Sequence, residues 1–183
     1  QLYCKGLNTS IKTFTKQTRR QLSAKSEEYF IETIIDNYNI VDRKSYNIIS
    51  IDPKGSKDFD DAYGLKTIDN NTVMLSIYIA NVSLWIDALD LWECFSERVS
   101  TIYLPDSKRP MLPTILSDSL CSLQENKTRF AFTLDIYINT TTFDIIRTEY
   151  HNTVIIVKRN LRYDTQELIT NTLYQESLLL ITN

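Results

Sequence analysis

Residues 51–62, with the sequence IDPKGSKDFDDA, decide the fold of this chain. They begin at the end of a β-rich run, residues 47–51 (NIISI), and the Pro and Gly of residues 53–55 mark a turn after that run. Four carboxylates lie within ten residues of one another here: Asp52, Asp58, Asp60 and Asp61. The sequence therefore predicts a strand that leads into an acidic loop.

The acidic loop predicts a metal site. Four like charges at this spacing repel one another unless solvent or a cation offsets them. If the loop is extended at Phe59, Asp58 and Asp60 point to one side and Asp61 to the other, so a bend must gather them. All-oxygen ligands suit Mg²⁺ or Mn²⁺ better than Zn²⁺. A solvated acidic turn with side-chain-to-backbone hydrogen bonds is the alternative.

The composition excludes several other kinds of site. The chain has 183 residues, of which 43% are hydrophobic and 23% charged, as is typical of a globular domain. Only three glycines are present and no G-x-G-x-x-G occurs, which argues against dinucleotide and P-loop sites. Three cysteines without a C-x-x-C pair support neither a zinc site nor a disulfide framework. An EF-hand is excluded because, counted from Asp58, Tyr63 stands where that loop needs glycine.

Charge is distributed unevenly along the chain. Residues 1–26 carry six Lys or Arg and no acid, whereas the remainder carries 14 basic and 23 acidic side chains. The basic segment is either a solvated helix face or a nucleic-acid contact. An acidic body needs cations in order to bind a polyanion. With no apolar run long enough for a bilayer and no signal peptide before residue 20, we expect a soluble, cytoplasmic protein without a membrane partner.

Hydrophobic patterning predicts a mixed α+β domain. Helical spacing predicts helices, or in the second case a helix or pair of turns, over residues 13–38, 84–100 and 164–181. Ser26 is predicted to cap a helix inside the first segment, and Asp164 to cap the last. β patterns predict strands over residues 47–51, 73–82, 130–139 and 151–158. Their irregular order favours a mixed sheet with packed helices over a regular doubly wound sheet.

The acidic stretch resembles the signature of the RNB catalytic domain of ribonuclease II and ribonuclease R type exoribonucleases. Further blocks resemble that family in the same order: residues 78–83 (YIANVS), 98–105 (RVSTIYLP), 110–113 (PMLP) and 116–123 (LSDSLCSL). The resemblance implies that residues 46–183 are the N-terminal portion of an RNB domain. Residues 1–45 would then be a basic helical linker or the tail of a preceding RNA-binding module.

The resemblance implies a Mg²⁺-dependent exoribonuclease, with Mn²⁺ as an alternative metal. Such an enzyme processively hydrolyses single-stranded RNA from its 3′ end to nucleoside 5′-monophosphates. Asp52 and Asp61 would be the leading metal ligands, and Asp58 and Asp60 would complete the site. Asp60 is expected to matter most for the chemical step, with Asp58 beside it, either by holding a second metal or by orienting the water.

The same resemblance implies four RNA-binding residues. Tyr103 matches a family tyrosine that stacks on a base near the cleaved end, and Tyr163 lies where the family has a second aromatic. A core position is the alternative for Tyr103. Arg98 and Arg109 either contact phosphates or form surface salt bridges. The expected partners are single-stranded RNA and a larger RNA-decay complex or the remaining half of the domain.

Two features depart from the family pattern. Asn81 replaces an aspartate and Tyr78 a histidine, which would weaken a polar contact near the site. The family's domain also continues beyond the matched span and supplies an arginine for the reacting phosphate, and nothing after Tyr163 resembles that part. The alternative function is a catalytically incomplete RNB-like protein that binds RNA or a protein partner without cleaving. His151, the single histidine, is predicted to be structural.

Overall fold

The computed structural model describes residues 11–96, 100–103, 105 and 108–182. Two compact units are present, one drawn from the described parts of Gln1–Asn39 and Val82–Cys121, the other from those of Ile40–Asn81 and Ser122–Asn183. We call them the helical unit and the sheet unit. No helix in the described part of the chain is long and apolar enough to cross a membrane.

Helices and strands alternate irregularly along the chain. The described α-helices are α1 Lys12–Ala24, α2 Glu27–Asn37, α3 Val82–Ala88, α4 Trp92–Ser96, α5 Gln166–Thr170 and α6 Thr172–Thr182. The described strands are β1 Ile40–Asp42, β2 Ile48–Asp52, β3 Asp61–Asp69, β4 Thr72–Ala80, β5 Ile102–Tyr103, β6 Lys108–Arg109, β7 Thr128–Asn139, β8 Ile145–Ile156 and β9 Arg159–Arg162. A π-helical turn covers Leu116–Leu120.

The helical unit shows where two predicted helices are interrupted. The Ser26 hydroxyl accepts a hydrogen bond from the backbone N–H of Tyr29 at 3.2 Å, which confirms Ser26 as an N-cap and separates α1 from α2. The helix predicted over residues 84–100 divides into α3 and α4. Asp90, between them, has a φ of 52°, a left-handed conformation that no α-helix continues through.

The sheet unit contains a seven-stranded mixed sheet in the order β1-β8-β7-β4-β3-β2-β9. Strand β2 pairs antiparallel with β3 and parallel with β9, while β1 runs parallel to β8. This architecture confirms the predicted α+β class. Strands β2, β4, β7 and β8 overlap the four predicted strands, whereas β1, β3 and β9 were not predicted.

Both faces of the sheet carry apolar clusters, because side chains alternate along each strand. One face is lined by buried apolar side chains from β2, β3, β4, β7, β8 and the segments beside them: Ile48, Ala62, Tyr78, Leu123, Ala131, Ile155 and Val157. On the other face, Leu168 of α5 and Leu173 of α6 pack against Ile49 and Leu161. The short helices thereby cover the β2–β9 end of the sheet.

The last predicted helix is wrong in two respects. Its N-cap is Thr165 and not Asp164, whose carboxylate instead accepts hydrogen bonds from Arg162 at 3.0 and 2.8 Å. The helix also breaks at Asn171. Its side-chain oxygen accepts from the N–H of Tyr174 at 3.1 Å, and this bond starts α6 as a new helix.

Candidate metal centre

Asp52 is the last residue of β2 and lies where three chain segments meet. Its backbone pairs with Arg162 of β9, and its carbonyl oxygen accepts the N–H of Tyr163 at 3.3 Å. The Asp52 side chain is partly buried, whereas the Tyr163 side chain is 65% exposed. The sheet thus places an exposed aromatic residue directly beside the strand end that carries Asp52.

One buried serine fixes the loop that carries Asp58. The Ser122 hydroxyl accepts from the N–H of Phe59 at 3.0 Å and donates to the carbonyl of Lys57 at 2.9 Å. The N–H of Leu123 also donates to the carbonyl of Phe59 at 2.8 Å. Because Ser122 is fully buried, these bonds do not compete with solvent. The backbone on both sides of Asp58 is therefore anchored to the sheet unit.

The chain changes direction between Asp60 and Asp61. The carbonyl of Asp60 accepts the N–H of Ala80 at 2.8 Å, and Asp61 opens β3 opposite Ile79 of β4. Asp58, Asp60 and Asp61 are all exposed. The acidic loop therefore presents three solvent-accessible carboxylates next to the strand end that carries Asp52.

Electrostatics show that the carboxylates influence one another. Burial raises the pKa of Asp52, and the charges of Asp61 and Asp58 raise it further, while a hydrogen bond from the Ser50 hydroxyl at 2.7 Å acts in the opposite direction. Among the described residues, no Lys or Arg forms an ion pair with Asp52. The like charges of Asp58 and Asp61 therefore act on Asp52, and a divalent cation would offset this repulsion.

The acidic loop fits a divalent cation in donor type and in charge, since every donor is a carboxylate oxygen. Among the described residues, however, no three of its side chains place candidate ligand atoms within 4.8 Å of one another. In the described part of the chain, the group of three candidate ligands whose atoms all lie within 4.8 Å of one another is a different one, Asp135, Glu149 and His151. Binding of a common ion at the loop would therefore require its carboxylates to approach one another.

Arginines already neutralise the carboxylates of that second group. Asp135 is paired with Arg43, and Glu149 accepts from Nε of Arg147 at 2.9 Å. His151 Nε2 lies 3.5 Å from a carboxylate oxygen of each acid. Because each acid already has a cationic partner, a divalent ion would add unbalanced positive charge. We therefore interpret the group as structural, in agreement with the interpretation of His151 from the sequence.

Of the remaining predicted site residues, Tyr103 and Arg109 belong to the helical unit. Tyr103 lies in β5 opposite Lys108, and Arg109 lies in β6 opposite Ile102. The structure describes the backbone at Tyr103 and Arg109 but not their side chains, and Arg98 lies outside the described residues. The sheet unit accordingly contains the four aspartates and Tyr163, and the RNA-binding roles of Tyr163, Tyr103, Arg98 and Arg109 stay predictions.

The two residues that depart from the family pattern, Tyr78 and Asn81, occupy defined positions. Tyr78 is fully buried in the core, and this burial raises the pKa of its phenol above the ordinary value. The Asn81 amide donates to the side-chain oxygen of Asn152 at 2.9 Å. Both side chains therefore have roles in the interior of the sheet unit.

Sequence reasoning missed the residues that support the acidic loop. Ser50 lies two positions before Asp52 on the same strand, so its position on the same face was open to prediction. Ser122 and Asn160 are distant in sequence, and Asn160 reaches Ser50 across 110 residues. No local pattern indicates a contact of that range.

Comparison with known proteins gives a consistent result. The RNB domain family model matches residues 40–177. Ribonuclease R of Ureaplasma parvum is 39% identical over 102 residues, which is 55% of this chain and 14% of that protein. The human exosome complex exonuclease is 33% identical over 136 residues, or 73% of this chain and 14% of that protein. This chain therefore spans a small part of the length of either relative.

Solved structures agree on the fold. Mycoplasma genitalium ribonuclease R in complex with double-stranded RNA superposes with a TM-score of 0.71 at 24% identity, covering 98% of this chain and 32% of that one. A yeast pseudonuclease superposes with a TM-score of 0.62 at 20% identity, covering 76% of this chain and 18% of that one. With the sheet, the acidic loop and the family model in agreement over residues 40–177, this chain belongs to the RNB domain family.

Proposed function

We propose that this chain carries the metal-binding part of a Mg²⁺-dependent exoribonuclease. The enzyme would processively hydrolyse single-stranded RNA in the 3′→5′ direction to nucleoside 5′-monophosphates. The observation that carries the proposal is the placement of Asp52, partly buried at the end of β2, close to the exposed Asp58 and Asp61, whose like charges repel it. A purely structural surface gains nothing from such repulsion, whereas a cation-binding site requires concentrated negative charge. The relatives named as ribonuclease R and exosome exonuclease support the same conclusion.

Each aspartate has an assigned role in the proposed reaction. Asp52 and Asp61 hold the cation, and Asp58 completes the ligand set. Asp60 orients the attacking water or holds a second cation, so its loss should affect the chemical step most strongly. The bound cation supplies positive charge that offsets the charge of the scissile phosphate.

RNA binding would depend on aromatic stacking and on basic residues. Tyr163 is exposed beside Asp52, so its ring is available to stack on a base close to the scissile phosphate. An aromatic face accepts every base, as an enzyme that degrades RNA of any sequence requires. Tyr103 is assigned the same role and Arg98 and Arg109 phosphate contacts, all from the match to the family sequence.

The domain boundaries and the cellular context belong to the same proposal. Residues 46–183 form the N-terminal portion of the catalytic domain, and residues 1–45 form a basic helical linker or the tail of a preceding module. The protein acts in the cytoplasm on single-stranded RNA. It works together with the remainder of an RNB domain or within a larger RNA-decay complex, which the name of the human relative favours.

An end-labelled RNA assay tests the enzymatic proposal. Single-stranded RNA would be incubated with the protein that contains this chain together with the remainder of its RNB domain, as the wild type, as Asp60→Asn and as Asp144→Asn, an exposed aspartate in the turn between β7 and β8 that serves as the control. We expect mononucleotides from the wild type and from the control, and none from Asp60→Asn or in the presence of a chelator. Absence of mononucleotide release by the wild type would refute the enzymatic proposal for this chain.

The second candidate function is RNA binding without cleavage. One relative in fold is a pseudonuclease, so the fold by itself is compatible with a non-cleaving protein. Filter binding with the same RNA distinguishes the two candidates. Retention of RNA by the wild type, without release of mononucleotides at any Mg²⁺ or Mn²⁺ concentration, would establish the binder in place of the enzyme.

A further inference from the structure

We propose that Ser50 and Asn160 are positioning residues that fix the side chain of Asp52 for cation binding. The inference rests on the proposed function, in which Asp52 is a metal ligand. Its basis is a chain of hydrogen bonds that runs from the backbone beyond the acidic loop, through two side chains, to one carboxylate oxygen.

The chain begins at the Asn160 amide, whose orientation is determined by backbone groups. Its Oδ1 accepts from the N–H of Glu125 at 2.7 Å, and its Nδ2 donates to the carbonyl of Leu123 at 3.0 Å. A backbone N–H only donates and a carbonyl only accepts, so the amide cannot be flipped without losing both bonds. The second hydrogen of Nδ2 is therefore directed at Ser50, whose Oγ lies 2.8 Å away.

The amide in turn orients the hydroxyl of Ser50. This hydroxyl has one proton, and its oxygen already accepts a hydrogen bond from Nδ2 of Asn160. Its proton is donated to Oδ2 of Asp52 at 2.7 Å. Ser50 is 1% exposed, so water does not replace either bond. Each donor and acceptor in this series of hydrogen bonds, from Asn160 through Ser50 to Asp52, thus has a single arrangement.

Asp52 needs such support because of its neighbours. The like charges of Asp58 and Asp61 act on its carboxylate, and this repulsion favours any rotamer that turns the carboxylate away from the loop. A hydrogen bond from Ser50 to Oδ2 opposes that rotation before a cation is present. Partners of this kind behind metal ligands commonly determine both ligand orientation and metal affinity.

A matched serine in the same sheet separates positioning from stability. Ser76 is also 1% exposed and also donates to a carboxylate oxygen, that of Asp135, at 2.6 Å. Asp135 lies outside the acidic loop. Replacement of either serine by alanine removes two hydrogen bonds, one donated to a carboxylate and one accepted from Asn160 or Arg43. Only Ser50→Ala removes a hydrogen bond from a proposed metal ligand. A loss of cation affinity confined to Ser50→Ala would therefore not be a consequence of lowered stability.

Isothermal titration calorimetry with Mn²⁺, carried out on the wild type and on each variant, tests the inference. The melting temperature of each variant is recorded as well. We expect Ser50→Ala to weaken Mn²⁺ binding by about ten-fold or more, and Ser76→Ala to leave it unchanged. Ser50→Thr keeps the hydroxyl and should restore affinity. Asn160→Asp keeps the acceptor for Glu125 but cannot donate to Ser50, so we expect weaker binding although the added negative charge alone would strengthen it.

The outcomes distinguish the inference from the proposed function. Equal Mn²⁺ affinity in the wild type and Ser50→Ala would overturn the positioning role and leave the metal site intact. Equal losses in Ser50→Ala and Ser76→Ala would overturn it too, because stability would then explain both. If Ser50→Ala does not fold, unchanged or stronger binding by Asn160→Asp would decide against the proposal. Absence of Mn²⁺ binding by the wild type would overturn the proposed metal site itself, and the inference with it.

Discussion

Arg43 and Asp135 form a two-pronged ion pair in the interior of the sheet unit. Nη1 of Arg43 donates to Oδ1 of Asp135 at 2.6 Å, and Nη2 donates to Oδ2. The two side chains are 5% and 0% exposed. The Ser76 hydroxyl adds a third donor to the same carboxylate. The pair holds the segment after β1 against the middle of the sheet.

Removal of one partner of this pair should be more damaging than removal of both. We expect Arg43→Met to lower the free energy of unfolding by about 3–5 kcal/mol, because Asp135 is left as an uncompensated buried charge. Arg43→Met combined with Asp135→Leu should be less destabilising, and urea denaturation measures both. Lys44→Met, which breaks an exposed pair with Asp42, should cost at most about 1 kcal/mol. The coupling of Arg43 and Asp135 would be contradicted if the double variant lost as much unfolding free energy as Arg43→Met and Asp135→Leu lose in sum.

The carboxylate of Asp135 also predicts how the stability of the protein depends on pH. Burial alone would raise the pKa of Asp135, but hydrogen bonds from Arg43 and Ser76 outweigh it and lower that pKa. A lowered pKa in the folded state stabilises the protein above the unfolded-state value of about 3.9, and this stabilisation is lost as the pH falls through the folded-state pKa. The stability difference between wild type and Asp135→Asn should therefore narrow below about pH 4. A difference that stays constant on acidification would contradict this assignment.

Ser122→Ala should loosen the acidic loop. The N–H of Phe59 would lose its buried acceptor and the carbonyl of Lys57 its donor. We expect a loss of about 1–3 kcal/mol in unfolding free energy and faster amide hydrogen exchange at Phe59. Exchange at Tyr63, inside β3, is the internal reference. Unchanged exchange at Phe59 would show that Leu123 alone is sufficient to hold the loop.

Two glycines should respond differently to alanine. A Cβ at Gly64 would lie 2.6 Å from the backbone oxygen of Asn47, so the β2–β3 pairing must shift. A Cβ at Gly55 would meet no described atom within 4 Å, and only the φ of +89° at that position is unfavourable. We expect Gly64→Ala to cost about 2–3 kcal/mol and Gly55→Ala about 1 kcal/mol. Thermal unfolding of the two variants checks the order, and the reverse order would contradict it.

Tyr163 provides a direct test of RNA stacking. Since its side chain is 65% exposed, Tyr163→Ala should leave the melting temperature unchanged. The binding of this variant to single-stranded RNA should be weaker than that of the wild type by about 1–3 kcal/mol of binding free energy. Tyr163→Phe keeps the aromatic face and should bind like the wild type. Equal affinities of the alanine and phenylalanine variants, measured by fluorescence anisotropy, would exclude stacking by this residue.

Features that depend on neighbours along the chain were predictable from the sequence. Ser26 caps α2 because a serine followed by acidic residues satisfies the first free N–H groups of a helix. Strand β7 was predicted because its apolar residues alternate over Phe130 to Asn139, although the observed strand starts at Thr128. The end of strand β2 at Asp52 was predicted from the Pro and Gly of the turn that comes after it.

Features that depend on distant contacts were not predictable. Strand β3 contains Gly64 and several charged residues, and it forms because β2 and β4 pair with it on both sides. Asn171 interrupts the last predicted helix because its side chain competes for a backbone N–H. The loop around the aspartates is shaped by Ser122, which no spacing rule connects to Asp58. The geometry of the candidate site is therefore the feature of this molecule that is least predictable from its sequence.

The link between Asn160 and Ser50 also constrains the order of events during translation. A ribosome delivers the aspartates long before it delivers Asn160, which is separated from Ser50 by 110 residues. Until β9 has emerged and paired with β2, the nascent chain carries mutually repelling carboxylates without the amide that orients Asp52. If the loop binds a cation as we propose, binding would be a late event in the biogenesis of the protein, and a ribosome stalled before β9 would display an acidic segment without a formed metal site.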